Sequence, residues 1–138
     1  MTRRTVVAYQ PATAAQSFER VLHGEDPRLS VGDFLDDWRR TPSAERPALV
    51  ADPIGDPGTD LGRQRWAAFY AAMVEQLCWT NEAGRLPRPG WTSNAAYRLA
   101  EPWFLVDGWP LRAWQLVSTP VPFRMRNIYG GDNILARV

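Results

Sequence analysis

Apolar residues recur along most of this chain at the three-and-four spacing of helices that bury one face. From Thr13 onward, Ala15, Phe18 and Val21 or Leu22 share a face, and Gly24 marks a stop. Thr13 and Gln16 fit a capping box, in which each side chain satisfies a backbone N–H that the first helical turn leaves unpaired. In a second helix Ser30 reads as the N-cap, with Asp33 near the positive end of the helix dipole. Val31, Phe34, Leu35 and Trp38 form its apolar face, Asp36, Asp37, Arg39 and Arg40 lie mostly off it, and Pro42 ends it. The longest run covers residues 61–81. There Trp66, Phe69, Tyr70, Met73, Leu77 and Cys78 keep helical spacing, while Ala67, Ala68, Ala71 and Ala72 favour helix and permit close packing. This helix is expected to be the core, with Gly84 ending it after a fraying turn.

The remaining elements are shorter. Thr5-Val-Val-Ala-Tyr9 is β-prone and reads as an edge strand, a partner-binding arm or a frayed tail. Residues 43–51 add a turn or two, with Ala44, Leu49 and Val50 inward, and the Pro and Gly of residues 52–60 predict a loop. After an extended connector at 86–90, Thr92 or Ser93 caps a short helix through Leu99, with Tyr97 inward. Residues 101–109 form an aromatic loop, and Pro110 opens a helix whose apolar stripe is Leu111, Trp114 and Val117. Phe123 to Tyr129 reads as helix or extended chain, broken by Gly130-Gly131, and Asp132 caps a last turn that packs Ile134 and Leu135 back. The prediction is a mainly α fold: a compact irregular bundle of about five to seven short helices, with at most one short N-terminal strand. Residues 1–12 form an arm or edge strand, and residues 13–138 a single helical domain.

Composition sharpens this picture in three ways. Twelve Pro keep the elements short, and seven Trp with 45% hydrophobic residues point to a folded core rather than disorder. A formal charge of +1 gives no global attraction to nucleic acid or an anionic membrane. The charge is nevertheless divided: residues 25–60 hold nine acids against four Arg, whereas residues 108–138 hold four Arg against one Asp. All sixteen basic residues are Arg, as a GC-rich genome or a need for planar, bidentate recognition would produce. The single Cys78 cannot form an internal disulfide, no stretch is long enough to span a membrane, and a cytoplasmic location is the expectation.

Little in the sequence suggests catalysis. His23 and Cys78 are single examples of their types, too few for a zinc site, and no cofactor is implied. Cys78 reads as a small buried hydrophobe and His23 as a helix-terminal or surface residue. There is no Gly-x-Ser-x-Gly turn and no Gly-rich phosphate cradle. Asp36 and Asp37 are helix neighbours that do not face each other, so they make a poor acid–base pair.

The distinctive chemistry lies in the C-terminal third, where aromatics and prolines alternate with arginines. Trp103, Phe104, Arg112, Phe123, Arg124, Arg126, Asn127 and Tyr129 are the candidate partner-binding residues. In this reading Arg124, Arg126 and Asn127 supply polar contacts, with Phe123 and Trp103 as apolar anchors. The expectation is a non-enzymatic protein that binds a protein partner. The rival readings are a nucleic-acid-binding transcriptional regulator, for which a homodimer would concentrate the arginines, and a small ligand-binding protein or enzyme. No membrane partner is expected.

The order of blocks also carries a resemblance. Ser-Val-Gly-Asp-Phe-Leu-Asp-Asp (30–37) precedes the Trp66 to Leu77 helix and Leu-Pro-Arg-Pro-Gly-Trp-Thr (86–92). Glu-Pro-Trp-Phe (101–104), Leu-Arg-Ala-Trp (111–114) and Pro-Phe-Arg-Met-Arg-Asn-Ile-Tyr-Gly-Gly-Asp-Asn-Ile-Leu (122–135) follow. Over residues 30–138 this order resembles a family of small actinobacterial proteins, similar to antitoxin-like partners encoded beside nucleotidyltransferase-type toxins. The resemblance implies a partner-binding protein, a toxin being one such partner, and brings no catalytic residues with it.

Overall fold

The computed structural model describes residues 9–136, so most of the β-prone piece at 5–9 lies outside the described residues, as does Arg137. Among the described residues there are six α-helices: α1 (Ala14–Leu22), α2 (Pro27–Arg40), α3 (Arg46–Val50), α4 (Leu61–Trp79), α5 (Trp109–Ser118) and α6 (Val121–Arg124). The mainly helical expectation therefore holds. Helix α4 is the axis of the molecule. Residues 67–74 are buried without interruption, which a helix tolerates only when other elements cover every side of it. Phe18 of α1 meets Tyr70 edge-on at 5.2 Å, and α2 adds Phe34, Leu35 and Trp38. Each such side chain contributes about 1.5–3 kcal/mol by leaving water.

The Tyr70 hydroxyl lies inside this core and needs partners there. It finds Ser17 Oγ at 2.7 Å and Ser30 Oγ at 3.0 Å, and those two hydroxyls also meet at 3.0 Å. Ser30 is thus an interior clamp between α1, α2 and α4, not an N-cap. Helix α2 starts one turn earlier, where Asp26 accepts the Arg28 N–H and Pro27 takes the first helical position. A proline lacks the N–H that would otherwise go unpaired there, so Asp-Pro outranks Ser-x-x-Asp as a start signal. The Thr13–Gln16 capping box forms as expected, with both bonds in place at 3.0 and 3.1 Å. Helix α4 ends at Thr80, four residues before Gly84.

Asp37 ties the chain before α1 onto α2. Its buried carboxylate accepts from Tyr9 Oη at 2.5 Å, the Ala12 N–H at 3.0 Å and Arg40 at 3.1 Å. Burial opposes its ionisation, but these donors outweigh burial and hold the carboxyl below its usual range. A depressed folded-state value means the bonus is complete above the unfolded carboxyl value, about 3.9, and fades as pH falls through the folded one. Asp37→Asn should therefore flatten the acid side of the stability profile. Urea unfolding of both proteins between about pH 6 and pH 3 checks this, and equal slopes would reject it.

The C-terminal third wraps α4 in short pieces. The short helix expected after Thr92 is instead two 3₁₀ turns, Gly90–Ser93 and Ala95–Tyr97. The aromatic segment contains strand β1 (Trp103–Phe104), paired in parallel with β2 (Ile128–Tyr129), so residues 121–129 are helical first and extended afterwards. Asn127 precedes β2 with φ of 64°, and its side chain donates to Leu99 O at 2.8 Å. Short polar residues tolerate this left-handed turn better than most.

Helix α5 reverses the expected orientation. Its predicted inward stripe faces solvent: Leu111 is 43%, Trp114 37% and Val117 78% exposed, while Gln115 is completely buried. The Gln115 side chain accepts the Val106 N–H at 3.2 Å and donates to Val106 O at 2.8 Å, pinning α5 to the segment after β1. One turn on, the buried Thr119 hydroxyl accepts from the Gly130 and Gly131 N–H groups. Gly131, at φ of +84°, lies directly beneath the Trp114 ring, which leaves no room for a Cβ. The inward side of α5 is therefore held by hydrogen bonds and by the contact of the Trp114 ring with Gly131.

Candidate partner-binding surface

The structure gathers three of the eight candidate residues and scatters the others. Strand pairing sets Phe104 opposite Tyr129, and their rings stack at 5.1 Å with 23° between planes. Arg112 of α5 places its guanidinium 5.0 Å from the Phe104 centroid, completing a cation–aromatic stack from three elements. Trp103 turns to the opposite side of β1, as strand alternation requires. There it meets Trp66 edge-on at 5.1 Å, with Arg65 over its ring.

Phe123 and Arg126 belong to the interior, which corrects their expected role as contact residues. Phe123 is fully buried and packs on Phe69 at 5.1 Å. Arg126, 5% exposed, donates to Glu75 at 2.6 Å, to Thr92 O at 2.8 Å and to Pro122 O at 2.7 Å. It joins α4, the first 3₁₀ turn and α6. Asn127 is occupied with its turn. Of the expected polar contacts, Arg124 is exposed and keeps that option.

What sequence reasoning missed is the amount of apolar surface turned outward nearby. Leu111, Trp114, Leu116, Val117, Val121 and Met125 are all exposed, between 37% and 78%, within fifteen residues of chain. These six are more than half of the exposed large apolar side chains among the described residues, so such side chains are concentrated in this stretch of chain. Trp79, 57% exposed at the end of α4, lines a groove of about 420 Å³ with Gln76, Pro120, Val121 and Pro122. Arg85 covers the outer face of the Trp79 ring at 3.5 Å. Glu75 lines both this groove and a polar pocket of about 260 Å³ formed by Arg88, Thr92, Ser93, Asn94, Arg98, Met125 and Arg126.

Elsewhere the reactive side chains are quiet. Burial, and secondarily Glu75, push the Cys78 thiol up to about 11, which keeps it protonated and a weak nucleophile. His23 caps the end of α1, with Nδ1 2.8 Å from Glu19 O. Among the described residues no group of three or more His, Cys, Asp or Glu is placed to hold a metal ion. No described helix is long and apolar enough to cross a membrane. Compared with protein-family models, curated proteins and solved structures, the chain matches none.

Proposed function

We propose that this chain is a non-enzymatic regulatory protein of the antitoxin-like kind, which acts by binding a protein partner through residues 111–125. One observation carries the reading: α5 buries its glutamine and shows its leucines, tryptophan and valine to water. Full burial of such a side chain is worth about 1.5–3 kcal/mol, and a partner that covers these recovers the share that their exposure forgoes. Arg112 and Arg124 flank the patch with Trp114, and Trp and Arg are the residue types that anchor protein interfaces. A nucleic-acid reading has less to stand on, because Arg126 is committed inside the fold and the exposed basic strip is correspondingly thin.

Val117→Asp tests the proposal. Val117 is the most exposed apolar residue of the patch, so the change should alter stability by no more than about 0.5 kcal/mol. It should weaken capture of a stoichiometric protein partner from native extract by at least about tenfold. Recovery of the bare wild-type protein, or of nucleic acid alone with a steep salt dependence, would sink the reading.

A further inference from the structure

Resting on that reading, we infer that the partner offers a segment of apolar residues followed by an acidic side chain. The apolar part lies along the groove of Trp79, Pro120, Val121 and Pro122, and the carboxylate enters the adjoining pocket to meet Arg98, Ser93 and Asn94.

The pocket's lining has more positive charge than it can neutralise. Glu75 is its only carboxylate, and both oxygens are already used: one accepts from Arg88 at 3.1 Å, the other from Arg126 at 2.6 Å. Three guanidiniums against one carboxylate leave two positive charges, and Arg98 has no ion pair among the described residues. The free hydrogen-bonding capacity is mostly of one kind as well, the Ser93 hydroxyl alone being able to accept as well as donate. Asn94 Oδ1 is taken by the Ala96 N–H at 3.0 Å, which leaves its amide N–H groups to donate. The Ser93 hydroxyl and the Arg98 guanidinium are likewise uncommitted among the described residues. A lining of free donors with its one acidic acceptor spent selects an anion, and a carboxylate accepts from several donors at once.

The neighbouring groove decides what carries that anion. Glu75 belongs to both lining sets, so groove and pocket meet at its side chain. Beyond this point the lining is Gln76, Trp79, Thr80, Pro120, Val121 and Pro122, and the cation beside it, Arg85, is stacked on the Trp79 ring. A nucleic-acid backbone would need positive charge all along its path, and here it would run onto prolines and a tryptophan. A protein segment with apolar residues and then Asp or Glu matches both halves. The divided character also fixes which end of the segment lies where, because its acid belongs in the pocket and its apolar residues in the groove.

A random peptide library panned against the full chain tests this, with affinities of the enriched peptides measured on wild type, Arg98→Gln, Arg98→Glu and Val117→Asp. Enriched peptides should carry Asp or Glu at a fixed distance from apolar residues. Their affinity should fall at least about tenfold in Arg98→Glu, less in Arg98→Gln, and fall likewise when the peptide acid is changed to its amide. Arg98 is exposed, so both variants should keep the wild-type unfolding midpoint. Peptides without an acidic preference, or acidic peptides that bind Arg98→Glu as well as wild type, overturn the inference. If such acid-indifferent peptides are lost in Val117→Asp, the docking face itself stands and only the acidic specificity falls. A library that yields no binder also overturns it, as does a single-stranded oligodeoxynucleotide that binds at Arg98 in place of any peptide.

Discussion

Replacing Arg46 by Ala is expected to cost about 3–5 kcal/mol, at about 1–3 kcal/mol for each buried acceptor left without a donor. Its guanidinium is 4% exposed and acts at the point where α2 ends. Nε donates to Trp38 O and Thr41 O, both at 3.0 Å, and so satisfies carbonyls that the helix terminus leaves open. Nη1 donates to Asn81 Oδ1 at 2.6 Å, just past the end of α4, and the cation lies 5.3 Å from the Trp38 ring. The ion pair to Glu82 at 2.9 Å adds little, because that carboxylate is 75% exposed and well screened. The loss comes from stranding buried carbonyls and an amide oxygen without donors. Lysine should rescue only part of it, because a point charge cannot reproduce the planar fork. Urea unfolding of Arg46→Ala and Arg46→Lys measures both effects; a cost under about 1 kcal/mol for the alanine variant would contradict the clamp.

Phe123→Ala should be of similar size, about 3–5 kcal/mol. The ring is wholly buried against Phe69, and α6 is too short to hold its place without that contact. Phe123→Leu keeps most of the volume and should cost less than about 1.5 kcal/mol. Together with Val117→Asp, this pair separates two kinds of apolar residue only six positions apart. One should change the unfolding midpoint, the other the partner. If Phe123→Ala left stability intact and abolished partner binding, the assignment of Phe123 to the core would fail.

Helix α4 and the Thr13–Gln16 box were legible because their signals are local. A run of apolar residues at helical spacing states its own conformation, and a capping box closes within one turn. The start of α2 was harder because two valid signals stood four residues apart: Asp26-Pro27 and Ser30-x-x-Asp33. Helix α5 shows the sharper limit. Periodicity says which side chains share a face, and it correctly placed Leu111 and Trp114 together. It does not say which face turns inward.

The candidate site divides in the same way. Its residue types, aromatic and arginine, could be read from the chain, and strand pairing does bring Phe104 and Tyr129 under Arg112. The separation of Arg126 from Arg124 could not be read, because the two side chains are identical and differ only in their surroundings, Arg126 meeting Glu75 of α4. Nor could the pocket, which needs Glu75 from α4 beside residues 88–98 and 125–126.

By itself, then, the sequence determined that the protein is a mainly helical fold built on α4, since helix formation and capping are settled within a few residues of chain. Only the tertiary structure decided that α5 turns its apolar residues outward. The physical reason is that the backbone of Val106 and the buried backbone of Gly130 and Gly131 find their hydrogen-bond partners in Gln115 and Thr119 of that helix.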